Sequence, residues 1–124
     1  MSGSTIKIFS IIIFLVLISK SYSQCFVSDI VISQSPTGVK VQGKPEWSVS
    51  ITNKCHCIQG DVILACKGFQ SLEPVNPSIL KVSPNGCLLN SGKPIQKNGV
   101  NFKYVSDQQY PFKPISSGYL CTSL

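Results

Sequence analysis

The sequence predicts an all-β domain, a disulfide-stapled β-sandwich of about seven short strands, and three observations carry that expectation. Apolar and polar residues alternate at a period of two, Gly and Pro punctuate these runs at short intervals, and six cysteines follow a hydrophobic leader. No stretch holds the 3.6-residue stripe of an amphipathic helix.

Taken from the start, Lys7 supplies a positive n-region, Ile8 to Ile18 form an apolar run broken only by Ser10, and Ser21-Tyr22-Ser23 places small residues at −3 and −1 of a cleavage site. The run falls short of the roughly 20 apolar residues that span a bilayer, and Lys20 follows it closely. Residues 1–23 are therefore expected to be a cleaved signal peptide and 24–124 a single secreted domain with no membrane insertion.

Phe26 to Ile32 and Val62 to Ala65 are apolar on both parities, as expected of strands covered on both faces. Val39 and Val41 alternate with Lys40 and Gln42, and Phe102 and Tyr104 with Asn101 and Lys103. From Glu46 to Asn53, Trp47, Val49 and Ile51 share one parity while Ser48, Ser50 and Thr52 share the other, which describes a half-buried strand with a hydroxyl-rich outer face. Continuing that parity carries Cys55 and Cys57 to the core side. Turns are expected at Pro36-Thr37-Gly38, Gly43-Lys44-Pro45, Pro84-Asn85-Gly86, Ser91-Gly92 and Asn98-Gly99. Two prolines make Glu73 to Pro77 an extended surface connection.

The cysteines are Cys25, Cys55, Cys57, Cys66, Cys87 and Cys121, an even set consistent with full pairing in an oxidising compartment. Six cysteines admit fifteen pairings, and setting aside a Cys55–Cys57 bridge, which would close a very tight ring, leaves twelve. The formal net charge of +6 falls to +4 when Lys7 and Lys20 leave with the leader. Every basic residue is lysine; without the guanidinium fork that reads bases and phosphates, nucleic acid is not an expected partner.

Chemistry finds little purchase. His56 is the single imidazole, the C-x-C spacing around it does not match structural zinc sites, and oxidised cysteines offer neither a metal ligand nor a nucleophile. There is no D-x-D, and the five carboxylates are scattered over different expected elements, although folding could bring Asp29 together with Asp61 or Glu73. Neither an enzyme nor a cofactor is expected. Trp47, Tyr104, Tyr110, Phe112 and Tyr119 raise the alternative of a glycan-binding module. Trp47 has core parity; Tyr110 and Phe112, beside Pro111 in an expected loop, are the better candidates for exposure.

Several segments then match a known pattern: Cys25 with Ser28-Asp29-Ile30, Gly43-Lys44-Pro45-Glu46-Trp47, Asn53-Lys54-Cys55-His56-Cys57, Cys66-Lys67-Gly68-Phe69-Gln70-Ser71, Pro74-Val75-Asn76-Pro77, Cys87-Leu88-Leu89-Asn90, Phe102-Lys103-Tyr104, Pro111-Phe112-Lys113-Pro114 and Cys121. Over essentially all of residues 24–124 the chain resembles the plant TAPETUM DETERMINANT family of small secreted proteins. It departs from the pattern at Asn76, where aspartate is usual, at Ser106, where tryptophan is common, and in a longer Asp107 to Pro111 loop. The resemblance implies an apoplastic ligand for the ectodomain of a leucine-rich-repeat receptor kinase, acting in cell-fate specification such as that of the anther. Candidate contact residues are Lys40, Lys44 and Lys103, and, from expected turns, Tyr110, Phe112 and Lys113. A planar row of exposed rings would favour a cell-wall glycan instead; a face of lysines and hydroxyls would favour a protein.

Overall fold

The computed structural model describes residues 24–121, so the expected leader lies outside the described residues. Seven strands form two antiparallel sheets: β1 (Ile30–Val41), β2 (Lys44–Asn53) and β6 (Val100–Val105) in the order β1-β2-β6, and β3 (Ile58–Ala65), β4 (Leu80–Ser83), β5 (Gly86–Leu89) and β7 (Lys113–Leu120) in the order β4-β5-β3-β7. The all-β sandwich expected from the sequence is the observed fold. Among the described residues no helix is long and apolar enough to cross a membrane.

The register of the three-stranded sheet explains its core. Ile32, Ile51 and Val100 stand in one row, Gln34, Val49 and Phe102 in the next, and Pro36, Trp47 and Tyr104 in a third. Apart from Pro36, which is exposed, these residues point inward because side chains alternate along a strand, and the fully buried Val49 and Ile51 fix which face is inside. Val62, Leu64, Leu80, Cys87 and Leu89 of the other sheet join the same buried cluster. Among the described residues Gln59 is the one buried polar side chain; its amide donates to Asn53 Oδ1 at 3.0 Å and its carbonyl accepts from Ser117 Oγ at 2.7 Å.

Several expectations change in detail. Pro36-Thr37-Gly38 is no turn but a register irregularity inside β1, so the runs around Ile32 and Val41 belong to one strand. Thr37 Oγ1 donates to Glu46 Oε1 at 2.9 Å and accepts from Val39 N–H at 3.2 Å, which supplies partners where the ladder is interrupted. The hairpin itself turns at Gln42-Gly43, both at positive φ (51° and 81°), the two-residue type I′ geometry that suits twisted strands. Phe26 and Val31 are exposed, so the first apolar run is covered on one face only: Val27–Asp29 forms a 3₁₀ turn and β1 is a sheet edge. Gly99 must be glycine, because it has φ +78° and a Cβ there would lie 2.6 Å from the Ile51 carbonyl oxygen.

The bridges are Cys25–Cys55, Cys57–Cys121 and Cys66–Cys87, with no free cysteine among the described residues. Cys55 and Cys57 thus take separate partners. The first bridge ties the segment before β1 to the end of β2, and the second ties the start of β3 to the end of β7, next to the Ile58/Leu120 pair. Both cysteines are half-buried rather than in the core, because β2 ends at Asn53 and its parity stops there.

Candidate functional site

The register that turns the apolar rows inward turns the alternate rows outward. Val31 pairs with Thr52, Ser33 with Ser50 and Ser35 with Ser48; on the far side of β2, Ser50 pairs with Asn101 and Ser48 with Lys103. The outer face of the three-stranded sheet is therefore a flat field of small hydroxyl and amide side chains, with Val31 at one end and Lys103 on the β6 margin. Lys40 and Lys44 lie at the hairpin end of the sheet, paired in register with Pro45 and Val41 on adjacent rungs, so Lys44 shares the hydroxyl face while the register shift after Pro36 turns Lys40 to the other one. Sequence periodicity located only the β2 column, Ser48, Ser50 and Thr52; the flanking Ser33, Ser35 and Asn101 join it through strand pairing.

The structure divides the remaining candidates. Tyr110 and Phe112, expected in an exposed loop, are 8% and 6% exposed and belong to the core. The segment leading into β7 is extended, so Pro111 and Lys113 face solvent while the rings on either side of Pro111 pack against Phe69, with centroids 5.1 and 5.3 Å away. Lys113 is the first residue of β7, not a turn residue, and stands in the other sheet from Lys40, Lys44 and Lys103. Trp47 is half-buried as its parity predicts: its ring stacks on Tyr104 at 6.4 Å, and its indole N–H donates to the Ser106 carbonyl at 3.1 Å.

A polar thread runs through this aromatic cluster, and sequence reasoning missed it. Tyr104 donates its hydroxyl hydrogen to Gln34 Oε1 at 2.6 Å and accepts from the Tyr110 N–H at 3.0 Å, while Gln34 Nε2 donates to the Tyr110 carbonyl at 2.6 Å. Burial pushes the Tyr104 phenol above its ordinary pKa, whereas the Gln108 side chain beside the Tyr110 hydroxyl pulls that phenol below its own, against the effect of burial. Replacing Tyr104 with phenylalanine removes two bonds, the one to Gln34 Oε1 and the one from the Tyr110 N–H, and leaves both of those groups short of a partner. The expected cost is about 1–3 kcal/mol, measurable by chemical denaturation.

Of the six candidate contacts, the structure brings two together: Lys44 and Tyr110, with Ser71 and Ser106, line a cavity of about 340 Å³. Lys44 also meets Asp107 at 3.6 Å, an exposed pair of small energetic weight. Asp29 accepts from the Phe26 N–H and Glu46 from Thr37, so these carboxylates serve local structure. The Sγ atoms of Cys25, Cys55 and Cys57 lie within 4.8 Å of one another, but each is bonded in a disulfide and offers no thiolate to a metal. His56 between them is exposed.

Comparison with known proteins places these features in context. A family model described as "Tapetum determinant 1, C-terminal" matches residues 26–121. The chain is 30% identical over 96 residues to "TPD1 protein homolog 1" of Arabidopsis thaliana, covering 74% of this chain and 54% of the relative. It is 32% identical over 90 residues to "TPD1 protein homolog 1B" of Oryza sativa subsp. japonica, covering 70% and 53%. The chain thus spans about half the length of the curated relatives it matches. No solved structure matches it.

Proposed function

The chain belongs to the tapetum determinant family, and on that premise we propose that it is a secreted protein ligand recognised by a leucine-rich-repeat receptor kinase ectodomain in the plant apoplast. The observation that carries this reading is the outer face of the β1-β2-β6 sheet. Its rows of Ser, Thr and Asn, bordered by Lys103, present short side chains that lose little rotamer entropy when covered and can pair in many orientations with polar groups of a partner. Four of the five candidate rings for stacking on sugars, Trp47, Tyr104, Tyr110 and Phe112, are instead packed together, and Tyr119 alone of them is exposed, so no row of rings is presented. The long concave surface of a leucine-rich-repeat array suits a compact domain with one flat side, and lysines at the margin steer its approach to an acidic patch.

Lys40→Glu combined with Lys103→Glu should slow association by about tenfold at low salt and flatten its salt dependence. Ser50→Tyr, in the middle of the field, should speed dissociation without lowering the melting temperature. Surface plasmon resonance of the oxidised protein against a panel of plant receptor ectodomains, beside a glycan array, tests the reading. Retention of a wall polysaccharide with no response from any ectodomain would replace it with glycan binding.

A further inference from the structure

In the other sheet, β3 carries an irregularity that leaves one carboxylate in an unusual place. Gln59 points inward, and so do Val62 and Leu64; for both parities to be buried the strand must gain one residue between them, and the β3/β7 register shifts at that point, between Gly60 and Ile63. Asp61 sits in the irregularity with φ 48°, a left-handed conformation that a side-chain-bearing residue adopts at some cost. Among the described residues, no hydrogen-bond donor or cation engages its carboxylate. The side chain instead lies between two glycines: Oδ1 is 3.0 Å from the position a Cβ would take on Gly92, and Oδ2 is 3.5 Å from that on Gly118.

This carboxylate opens onto a depression of about 300 Å³ whose rim is apolar. Ile58, Tyr119 and Leu120, which line it, are 48%, 45% and 60% exposed. Ile58 and Leu120, paired in register, are left in water on the same face as one exposed, unpartnered carboxylate, while Tyr119 pairs with the inward-pointing Gln59 and reaches the depression from the strand's other side. On a protein of net charge +6 this is a patch of locally opposite character. We propose that this depression receives an arginine side chain of a protein partner, its guanidinium forked on the Asp61 carboxylate and its methylene stem against Ile58 and Leu120.

The chemistry of the lining selects this occupant. A sugar ring needs hydrogen-bonding groups around its circumference, and the lining side chains supply one carboxylate and one phenol among glycine, proline and aliphatic residues. A side chain with one charged end and an apolar stem matches that distribution. Arginine fits better than lysine because its planar fork meets both carboxylate oxygens at once, where an ammonium meets them as a point charge. The inference rests on the proposed function only in taking the partner to be a protein.

The test needs no receptor. The ¹⁵N-labelled, oxidised protein is titrated at low salt with N-acetyl-arginine amide, N-acetyl-lysine amide and cellobiose while backbone amide shifts are followed. Arginine amide should move Gly60, Asp61, Gly92 and Gly118 to Leu120 at lower concentration than lysine amide does, and cellobiose should move none of them. Asp61→Asn, which keeps a residue tolerant of positive φ, should weaken the response about tenfold. Ile58→Ala, an exposed position on the Asp61 face that leaves the bulge intact, should weaken it about twofold. Shifts equally large at Glu73 and Asp107, a response that both variants preserve, no response to arginine amide, or a response to cellobiose alone would each overturn the proposal. Such a result leaves the ectodomain reading standing, and silence from every ectodomain leaves this site untouched.

Discussion

Truncating Phe112 to alanine should destabilise the fold by about 3–5 kcal/mol rather than act on any bound partner. The ring is 6% exposed and lies 5.3 Å from Phe69, 5.8 Å from Phe102 and 5.8 Å from Tyr104. It therefore sits where the aromatic residues of β6 meet the connection to β7. A cavity there cannot collapse easily, because its walls are rigid rings held by the Gln34, Tyr104 and Tyr110 hydrogen bonds. Equilibrium unfolding in guanidinium should show a lower midpoint with an unchanged slope. A variant that melts like the parent while releasing a receptor faster would return Phe112 to the surface role its neighbour Pro111 suggests.

Removing the Cys66–Cys87 bridge, with both residues changed to alanine, should cost on the order of 4–5 kcal/mol. Its sequence separation of 21 corresponds to about 3 kcal/mol of restricted unfolded-chain entropy. The rest comes from packing, since Cys87 is fully buried and Cys66 nearly so, and each substitution deletes a sulfur from the core cluster. Thermal unfolding under non-reducing conditions measures the loss. Parity with the native protein would mean that neither the bridge nor the packing of its sulfurs contributes to stability.

The legible part of this fold is the part in which one residue's neighbours in sequence decide its burial. Trp47, Val49 and Ile51 against Ser48, Ser50 and Thr52 is such a case, and both the strand and its outward hydroxyls follow from it. β3 shows where this stops: the extra residue at Gly60-Asp61 breaks the alternation, so the run beginning at Val62 looks like a strand and the Ile58 to Asp61 portion does not. β7 is nearly invisible for a different reason. Its residues are mostly exposed, and it is held by pairing with β3 and by the bridge at Cys121 rather than by a buried face, so no apolar period marks it. Phe112 and Tyr110 were masked by Pro111, which suggests a loop but in an extended segment leaves both flanking rings on the inner side. The serine field needed β1 and β6 placed in register beside β2, which no local pattern specifies.

The Cys55-His56-Cys57 step lies where the chain leaves one sheet for the other, and its two bridges close circuits of very different length, with separations of 30 for Cys25–Cys55 and 64 for Cys57–Cys121. A chain synthesised from its N-terminus can oxidise the first pair as soon as β1 and β2 have emerged, but Cys57 must then wait for more than sixty further residues. During that interval its thiol stands beside a completed disulfide and sees Cys66 and Cys87 before its proper partner arrives. Mispairing of Cys57 with Cys66 or Cys87 is therefore the error to expect when the chain oxidises in order of synthesis, and exchange at Cys57 is the step that would correct it.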